Sequence, residues 1–207
     1  MTENLSHPVG IAALYGLVLA GGRGTRIGRD KGALDFHGMP QVRWALQLLQ
    51  GFCEACFVSV RPDQANDGVY AGLPSIVDEG SSGPASGVAA AMRRFPGVAW
   101  LVIAADMPLL TRTVLATLVA GRDPSGLATA FRRPAGAPEP LCAIWEPGAG
   151  GWLAPSGSDH GVSLRRLLET GPARLLDIED ADLLASVNTR ADDAWVRRRL
   201  VGAARLM

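Results

Sequence analysis

The sequence predicts an α/β fold, namely a single Rossmann-like domain of three layers with a mostly parallel central sheet. Two observations carry this prediction. Short apolar runs alternate along the chain with stretches of helical periodicity, an order typical of strand–helix–strand units. The runs over residues 14–19 and 100–105 are almost continuously apolar, as expected of strands that helices cover on both faces.

Each element follows from its local pattern. The strands are predicted over residues 14–19, 57–60, 75–77, 100–105, 127–131, 141–145 and 175–178. Helices are predicted over 41–49 and 88–94, from Thr111 to near Gly121, over 163–168, and after Thr189. The first of these has apolar residues at helical spacing, and the hydroxyls of Thr111 and Thr189 are suited to cap free N–H groups. Residues 81–87 are predicted to form a turn before the second helix.

Composition predicts a compact protein without a nucleic acid or membrane partner. We expect residues 1–13 to be a flexible N-terminal extension and residues 14–207 to form one domain, since 48% of the residues are apolar. The 20 basic residues balance 20 acidic ones, so no net field attracts nucleic acid or an anionic membrane. No apolar run approaches the roughly 20 residues that cross a bilayer. These features predict a cytoplasmic protein.

The three cysteines are too few, and odd in number, for a disulfide framework. Cys53 and Cys56 form a C-x-x-C pair, a spacing found in zinc sites and redox couples, but no second pair lies near enough to complete a four-ligand zinc site. We expect buried structural thiols, and the sequence leaves open whether the pair does more.

The strongest functional signal is a glycine-rich segment directly after the first strand. It reads Leu19-Ala20-Gly21-Gly22-Arg23-Gly24-Thr25-Arg26-Ile27-Gly28 and is followed by Asp30-Lys31. The loop after such a strand borders the ligand crevice of an open α/β sheet. Its glycines let backbone N–H groups approach phosphate oxygens. Arg26 and Lys31 add two cations, which suits a triphosphate whose pyrophosphate must leave.

This segment matches neither of two better-known glycine motifs. The dinucleotide fingerprint fails because one residue too many separates Gly24 from Gly28, and the P-loop fails because Gly32 follows Lys31 where Ser or Thr is required. The segment therefore indicates phosphate binding of another kind.

Polar residues follow three further predicted elements. Asp106 lies at the carboxyl end of the most apolar strand, where a carboxylate suits Mg²⁺. Asp78 ends the third strand, and Gly83 and Gly87 lie near a helix start that can face substrate. Asn188 is suited to reach a metal-bound or acceptor phosphate oxygen, although the neighbouring Thr189 also reads simply as a helix cap, and both interpretations stay open.

These motifs occur in a fixed order over nearly the whole chain, from Tyr15 to about Trp195. They are the glycine-rich segment with Asp30-Lys31, Asp78 with Gly83-Pro84 and Gly87, Asp106-Met107-Pro108, Glu139-Pro140-Leu141-Cys142-Ala143, Ser163-Leu164-Arg165-Arg166-Leu167-Leu168, and Val187-Asn188-Thr189. Together they resemble the molybdenum cofactor guanylyltransferases, a family within the larger group of nucleotide-sugar-type transferases.

The resemblance implies an Mg²⁺-dependent enzyme that transfers GMP from GTP to the terminal phosphate of molybdopterin and releases pyrophosphate. It implies that Lys31 contacts the phosphates, that Asp106 binds Mg²⁺, and that Arg26 helps to neutralise the pyrophosphate. The implied nucleotide-binding set also contains Leu19, Ala20, Gly21, Gly22, Ser59 and Asp78. Ser59 stands where an asparagine is expected, so its contact is open. Gly83, Gly87 and Asn188 are expected on the acceptor side, and proteins that carry the finished cofactor or insert it into enzymes are expected as partners.

Three alternatives stay open. Cytidylyltransferases for the same pterin carry Leu-Ala-Ala-Gly in the first loop, and Gly21 favours the guanylyl branch. A sugar phosphate is an alternative acceptor. A non-catalytic nucleotide-binding subunit is the alternative from another class, and the presence of both Lys31 and Asp106 argues against it.

Overall fold

A mostly parallel sheet forms the centre of the molecule, as the sequence predicts. The computed structural model describes residues 10–20, 30–66, 68–78, 83–153 and 162–204, and within these the sheet has seven strands in the order β3-β2-β1-β4-β6-β5-β7. The strands are β1 (Leu14–Leu19), β2 (Ala55–Val60), β3 (Ser75–Val77), β4 (Ala99–Ala104), β5 (Ala128–Arg132), β6 (Pro138–Trp145) and β7 (Ala173–Asp177). Only β6 among them runs antiparallel, pairing with β4 and β5.

Helices cover both faces of the sheet, which confirms the three-layer architecture. They are α1 (Gln41–Gln50), α2 (Gly83–Arg94), α3 (Arg112–Ala120), α4 (Gly150–Leu153), α5 (Leu164–Thr170) and α6 (Arg190–Ala204). Successive residues of a strand point to opposite faces, so Leu17 joins the core under α2 while Val18 joins the core under α1. Both side chains are fully buried.

Hydroxyl groups cap two of the helices. The cap at Thr111 was predicted, whereas Ser163 was predicted as the first residue of its helix and is instead the cap before it. The hydroxyl of Thr111 accepts from the N–H of Val114 at 3.3 Å at the start of α3. The hydroxyl of Ser163 accepts from the N–H of Arg166 at 3.3 Å, so Ser163 precedes α5 as its cap. Each hydroxyl satisfies an N–H group that has no partner within the helix.

The second helix begins earlier than predicted. Residues 83–87 are not a turn but the first turns of α2, which starts at Gly83. Pro84 fits there because the first turn of a helix needs no N–H donor from it. Gly87 is consequently a helical residue, and a Cβ atom on it would lie 2.6 Å from the Ser59 Oγ and 2.9 Å from the Leu19 Cδ2. Its lack of a side chain lets α2 pack closely on β1 and β2.

A small apolar cluster holds α6 against the loops at the carboxyl edge of the sheet. Val196 of α6 is buried together with Leu34, Leu109 and Val187. The cluster fixes the start of α6 beside the segments that follow β1 and β4.

Two of the three cysteines lie at the start of β2, away from this edge, whereas Cys142 pairs with Ile103 close to the end of β4. Cys53 and Cys56 are free and half-buried at the start of β2, and Cys142 is fully buried in β6. A hydrogen bond between the first two raises the pKa of Cys53 and lowers that of Cys56. Across the residues with described positions, no helix is both long enough and apolar enough to cross a membrane.

We expect Gly87→Ala to lower the free energy of unfolding by about 1–3 kcal/mol, because the added methyl group must displace buried atoms of Ser59 and Leu19. Urea denaturation followed by circular dichroism measures the change. Gly202→Ala in α6 is the matched control, since its Cβ would meet no atom within 4 Å. We expect the control to gain up to about 1 kcal/mol from helix propensity. Equal stability of Gly87→Ala and the wild type would contradict the close approach.

Candidate active site

The parallel pairing of three strands brings their carboxyl ends into line. The N–H of Ala20 donates to the Ser59 carbonyl at 3.1 Å, and the N–H of Ala105 donates to the Leu19 carbonyl at 3.0 Å. Leu19 and Ala20 therefore lie directly beside the end of β4. Gly21, Gly22 and Arg26, which the sequence assigns to the same loop, lie outside the described residues.

Lys31 is the centre of a polar cluster at this edge. Its Nζ lies 2.7 Å from the Asp106 Oδ2 and 2.6 Å from the Asn188 Oδ1. These contacts join residues 75 and 157 positions away from Lys31 in the sequence. The side chains of Lys31 and Asp106 are 21% and 15% exposed, so the ion pair is partly shielded while solutes can still reach it. Lys31, Asp106 and Asn188 are thus the predicted site residues that the fold places in direct contact.

The loop that carries Asp106 is held from two sides. The N–H of Val187 donates to the Asp106 carbonyl at 2.9 Å, and the Nε2 of His37 lies 2.9 Å from the Pro108 carbonyl oxygen. His37 also stacks on Trp44 with ring centroids 4.1 Å apart. Burial lowers the pKa of His37 below its ordinary value. The sequence gives His37 no role, because nothing in its spacing points to Pro108.

Asp106 has the features of a divalent-ion ligand. Its Oδ1 is buried and has no hydrogen-bond partner in the described part of the chain, and an oxygen in that condition is costly unless a ligand satisfies it. Within those residues no three His, Cys, Asp or Glu side chains form a metal cluster. Mg²⁺ is commonly held by one or two carboxylates together with substrate phosphates. The donor set fits Mg²⁺ with Asp106 as the protein ligand and the nucleotide as the other.

Asp30 anchors the segment of Lys31 to the connection between β2 and β3. Its Oδ1 accepts from the Gly32 N–H at 2.9 Å and from the Tyr70 hydroxyl at 2.7 Å. Its Oδ2 accepts from the Gln64 Nε2 at 3.3 Å. Burial and the neighbouring Asp30 raise the pKa of Tyr70, so the phenol stays protonated and donates. A Cβ on Gly32 would lie 2.3 Å from that hydroxyl, which explains the glycine after Lys31.

Tyr70 and Gln64 are site-supporting residues that the sequence does not reveal. They lie in an irregular connection without periodicity, and their shared partner Asp30 is more than 30 residues earlier. The only local signal is the Asp30-Lys31-Gly32 run itself, whose glycine indicates a close neighbour.

Asp78 lies at the other end of the crevice. It follows β3, three strand positions from β4, and a spacing of about 4.8 Å per strand separates it from the end of β4 by about 14 Å. Its Oδ2 accepts from the Ser86 hydroxyl at 2.6 Å, which ties it to α2. Gly83 is exposed at the start of that helix with a φ of 73°.

Ser59 and Gly87 lie beneath the site. Ser59 is only 3% exposed, and its hydroxyl occupies the space that a side chain at Gly87 would take. Both residues pack α2 on the sheet in this structure. Their predicted contacts with nucleotide and acceptor stay predictions.

Asn188 belongs to a helix cap as well as to the Lys31 cluster. The Asp192 carboxylate accepts from the N–H groups of Asn188 and Thr189 at 2.9 and 2.8 Å, and the Thr189 hydroxyl accepts from the Asp192 N–H at 3.2 Å. This is the predicted reciprocal cap of the last helix. The N–H of Asn188 is the main cause that lowers the pKa of Asp192. The Thr189 cap is therefore confirmed, and the Asn188 side chain contacts Lys31. The predicted contact of Asn188 with a phosphate oxygen stays a prediction.

Known proteins share this fold and much of this sequence. A domain family described as the MobA-like NTP transferase domain matches residues 16–177. A molybdenum cofactor biosynthesis bifunctional protein of Synechocystis is 39% identical over 136 residues, which cover 65% of this chain and 39% of that protein. A molybdenum cofactor guanylyltransferase of Cereibacter sphaeroides is 34% identical over 139 residues, which cover 64% of this chain and 68% of that protein.

Solved structures show the same architecture at lower identity. Molybdopterin-guanine dinucleotide biosynthesis protein A from Archaeoglobus fulgidus superposes with a TM-score of 0.74 at 22% identity, covering 93% of this chain and 100% of that one. A nucleotidyl transferase from a Methanothermobacter species superposes with a TM-score of 0.70 at 17% identity, covering 92% and 99%. The family match spans most of the seven-stranded sheet, β1 to β7, with Lys31 and Asp106 inside it, and we conclude that this chain belongs to the MobA-like NTP transferase domain family.

Proposed function

We propose that the protein transfers GMP from GTP to the terminal phosphate of molybdopterin, forming molybdopterin guanine dinucleotide and pyrophosphate. The observation that carries this proposal is the cluster of Lys31, Asp106 and Asn188 at the carboxyl edge of the sheet in a chain of the MobA-like family. The guanylyltransferase names of relatives at 34–36% identity support the choice of reaction.

The proposed nucleotide lies along the carboxyl edge of the sheet. Leu19 and Ala20, with Gly21 and Gly22 after them, line the guanine and ribose. Asp78 contacts the same part of the nucleotide from the end of β3. The phosphates then lie toward β4, where Lys31 contacts them and Asp106 would hold Mg²⁺. The distance of about 14 Å between the ends of β3 and β4 supports an extended nucleotide across the crevice.

The proposed chemistry is an in-line displacement. An oxygen of the acceptor phosphate attacks the α-phosphorus of GTP, a new P–O bond forms, and the bond to the β-phosphate oxygen breaks so that pyrophosphate leaves. The acceptor phosphate is already ionised at neutral pH, so the reaction needs no general base. Lys31 stabilises the charge that develops on the phosphates, and positioning supplies most of the remaining rate. Bound Mg²⁺ would supply Lewis-acid stabilisation of the phosphate oxygens.

Asn188 and Arg26 complete the proposed charge arrangement. The Asn188 carboxamide holds Lys31 and lies where an acceptor phosphate oxygen can approach, since it is exposed at the start of α6. Arg26 adds a second cation for the departing pyrophosphate. Because the product is a finished cofactor, we also propose a partner protein that carries it or inserts it into an enzyme. We propose a cytoplasmic setting for the reaction.

We expect Asp106→Asn to lower kcat/KM for GTP by at least about 100-fold, because the amide loses the charge that holds the metal and orients Lys31. Steady-state pyrophosphate release measures the loss, and thermal melting checks the fold. Asp193→Asn is the matched control, since among the described residues the Asp193 side chain pairs with the exposed Arg197 one turn along α6. Wild-type turnover by Asp106→Asn would overturn the assignment of Asp106.

We expect Tyr70→Phe to lower kcat/KM about tenfold while reducing the free energy of unfolding by only about 1 kcal/mol. The variant keeps the buried ring but removes the hydrogen bond that holds Asp30, and hence the position of Lys31. Tyr15→Phe is the control, because Tyr15 is the other of the two tyrosines and lies at the opposite end of β1. If both variants retain full turnover, the Asp30 anchor does not support catalysis.

Pyrophosphate release from each of GTP, CTP, ATP and UTP, with Mg²⁺ and with or without molybdopterin, tests the reaction itself. We expect release that requires molybdopterin and occurs with GTP alone. Release with CTP instead would assign the cytidylyl reaction to this chain. Absence of release from folded protein that binds GTP would overturn the proposed reaction in favour of a nucleotide-binding subunit or a sugar phosphate acceptor.

A further inference from the structure

Lys31 forms an ion pair with the Asp106 carboxylate, the group that a divalent ion would bind. Its ammonium group lies 2.7 Å from the Asp106 Oδ2, whereas the Oδ1 of the same carboxylate is buried. The unpartnered Oδ1 is the oxygen that a divalent ion would satisfy, and it shares its carboxylate with the Oδ2 that Lys31 holds. A divalent ion on this carboxylate would stand next to the ammonium group, and the two positive charges would repel each other.

The chemistry of lysine suits a group that must leave this position. Lysine carries a compact charge on a flexible stem, whereas arginine forms a rigid two-pronged contact with a carboxylate. Lys31 is the single lysine of the 207 residues, and the other basic positions of the chain are all arginine. Asn188 accepts a second hydrogen bond from the ammonium group at 2.6 Å. One charged partner, Asp106, and one neutral partner, Asn188, therefore hold Lys31 in place.

We propose that Lys31 controls access of the divalent ion to Asp106, so that the ion binds tightly only when nucleotide phosphates draw the ammonium group away. The proposal rests on the proposed function, which assigns Asp106 to the metal and Lys31 to the phosphates. A triphosphate offers the ammonium group more negative charge than one carboxylate does. Once Lys31 moves to the phosphates, the whole Asp106 carboxylate is free for the ion. Binding of nucleotide and binding of metal therefore strengthen each other, and by linkage each effect has the same size.

Binding of Mn²⁺ in the absence of any nucleotide tests this coupling. Mn²⁺ prefers the same oxygen ligands as Mg²⁺, and its free concentration is measured by electron paramagnetic resonance. We expect Lys31→Met and Lys31→Ala to bind Mn²⁺ about tenfold or more tightly than the wild type, since the competing cation is gone. Lys31→Arg keeps the cation, and we expect it to bind Mn²⁺ no more tightly than the wild type. Agreement between the Met and Ala variants, with circular dichroism of each, controls for the fold.

The single lysine offers a second readout that involves no turnover. Trace acylation with acetic anhydride labels Lys31 as the single lysine, and peptide mass spectrometry separates its amide from products at the N-terminal amine, tyrosines and cysteines. We expect saturating Mn²⁺ without nucleotide to raise the labelling rate of Lys31 several-fold, because the ion displaces the amine from Asp106. In Asp106→Asn, labelling should already be fast and should not respond to Mn²⁺.

The outcomes separate this proposal from the proposed function. Equal Mn²⁺ affinity of the wild type, Lys31→Met and Lys31→Ala, with loss of binding in Asp106→Asn, would overturn the control by Lys31 while leaving the metal on Asp106. Unchanged Mn²⁺ binding in Asp106→Asn would overturn both, because the metal would then lie elsewhere. Tighter Mn²⁺ binding by Lys31→Met and Lys31→Ala that is lost when either is combined with Asp106→Asn would support the proposal. This outcome does not depend on which nucleotide or acceptor the enzyme uses.

Discussion

The parallel pairing of β1 with β4 is the constraint on which the candidate site depends. The register places Leu19 opposite Ala104, and the backbone bond from Ala105 to Leu19 extends the pairing one residue further. Asp106 thereby follows β4 at the level where the glycine-rich segment leaves β1. Because both strands are central and covered by helices, small shifts in register would move buried side chains to the wrong face. The core thus fixes the relative height of the two loops.

Further hydrogen bonds and apolar contacts then bring the polar side chains at this edge together into one cluster. Asp30 is held by Tyr70, Gln64 and the N–H of Gly32. Asp106 is held through its own carbonyl by Val187, and α6 brings Asn188 to the same place through the apolar cluster around Val196. Each of the three charged or polar partners of the cluster therefore comes from a different part of the chain. Their geometry depends on packing that lies well outside the site.

The ion pair between Lys31 and Asp106 illustrates how a site can be both stable and ready to rearrange. A half-buried pair is screened less than a surface pair, which keeps the two groups together and stabilises their loops. The pair nevertheless faces the crevice, where, in the proposed function, phosphate groups would compete for the ammonium group and a divalent ion for the carboxylate. An arginine at position 31 would form a more rigid contact. The choice of lysine there, in a chain otherwise without lysine, fits a contact that has to exchange partners.

The sequence by itself determined the order along the chain of the seven described strands and of every described α-helix except the short α4, the sheet type, and the candidate site residues Lys31, Asp106 and Asn188, because continuous apolar runs, caps and glycine-rich loops are local signals. Lys31 and Asp106 could be predicted since each follows a buried strand, and parallel strands present their carboxyl ends at one edge. The predicted start of α2 was wrong, because the run of Gly, Pro and Ser at this position suggests a loop turn as readily as the first turn of a helix. Only the tertiary structure decided that Lys31 contacts both Asp106 and Asn188, that Tyr70 and Gln64 hold Asp30, and that Gly87 makes room for Ser59. These contacts join residues far apart in the chain, and their distances follow from how helices pack on the sheet, which no local pattern records.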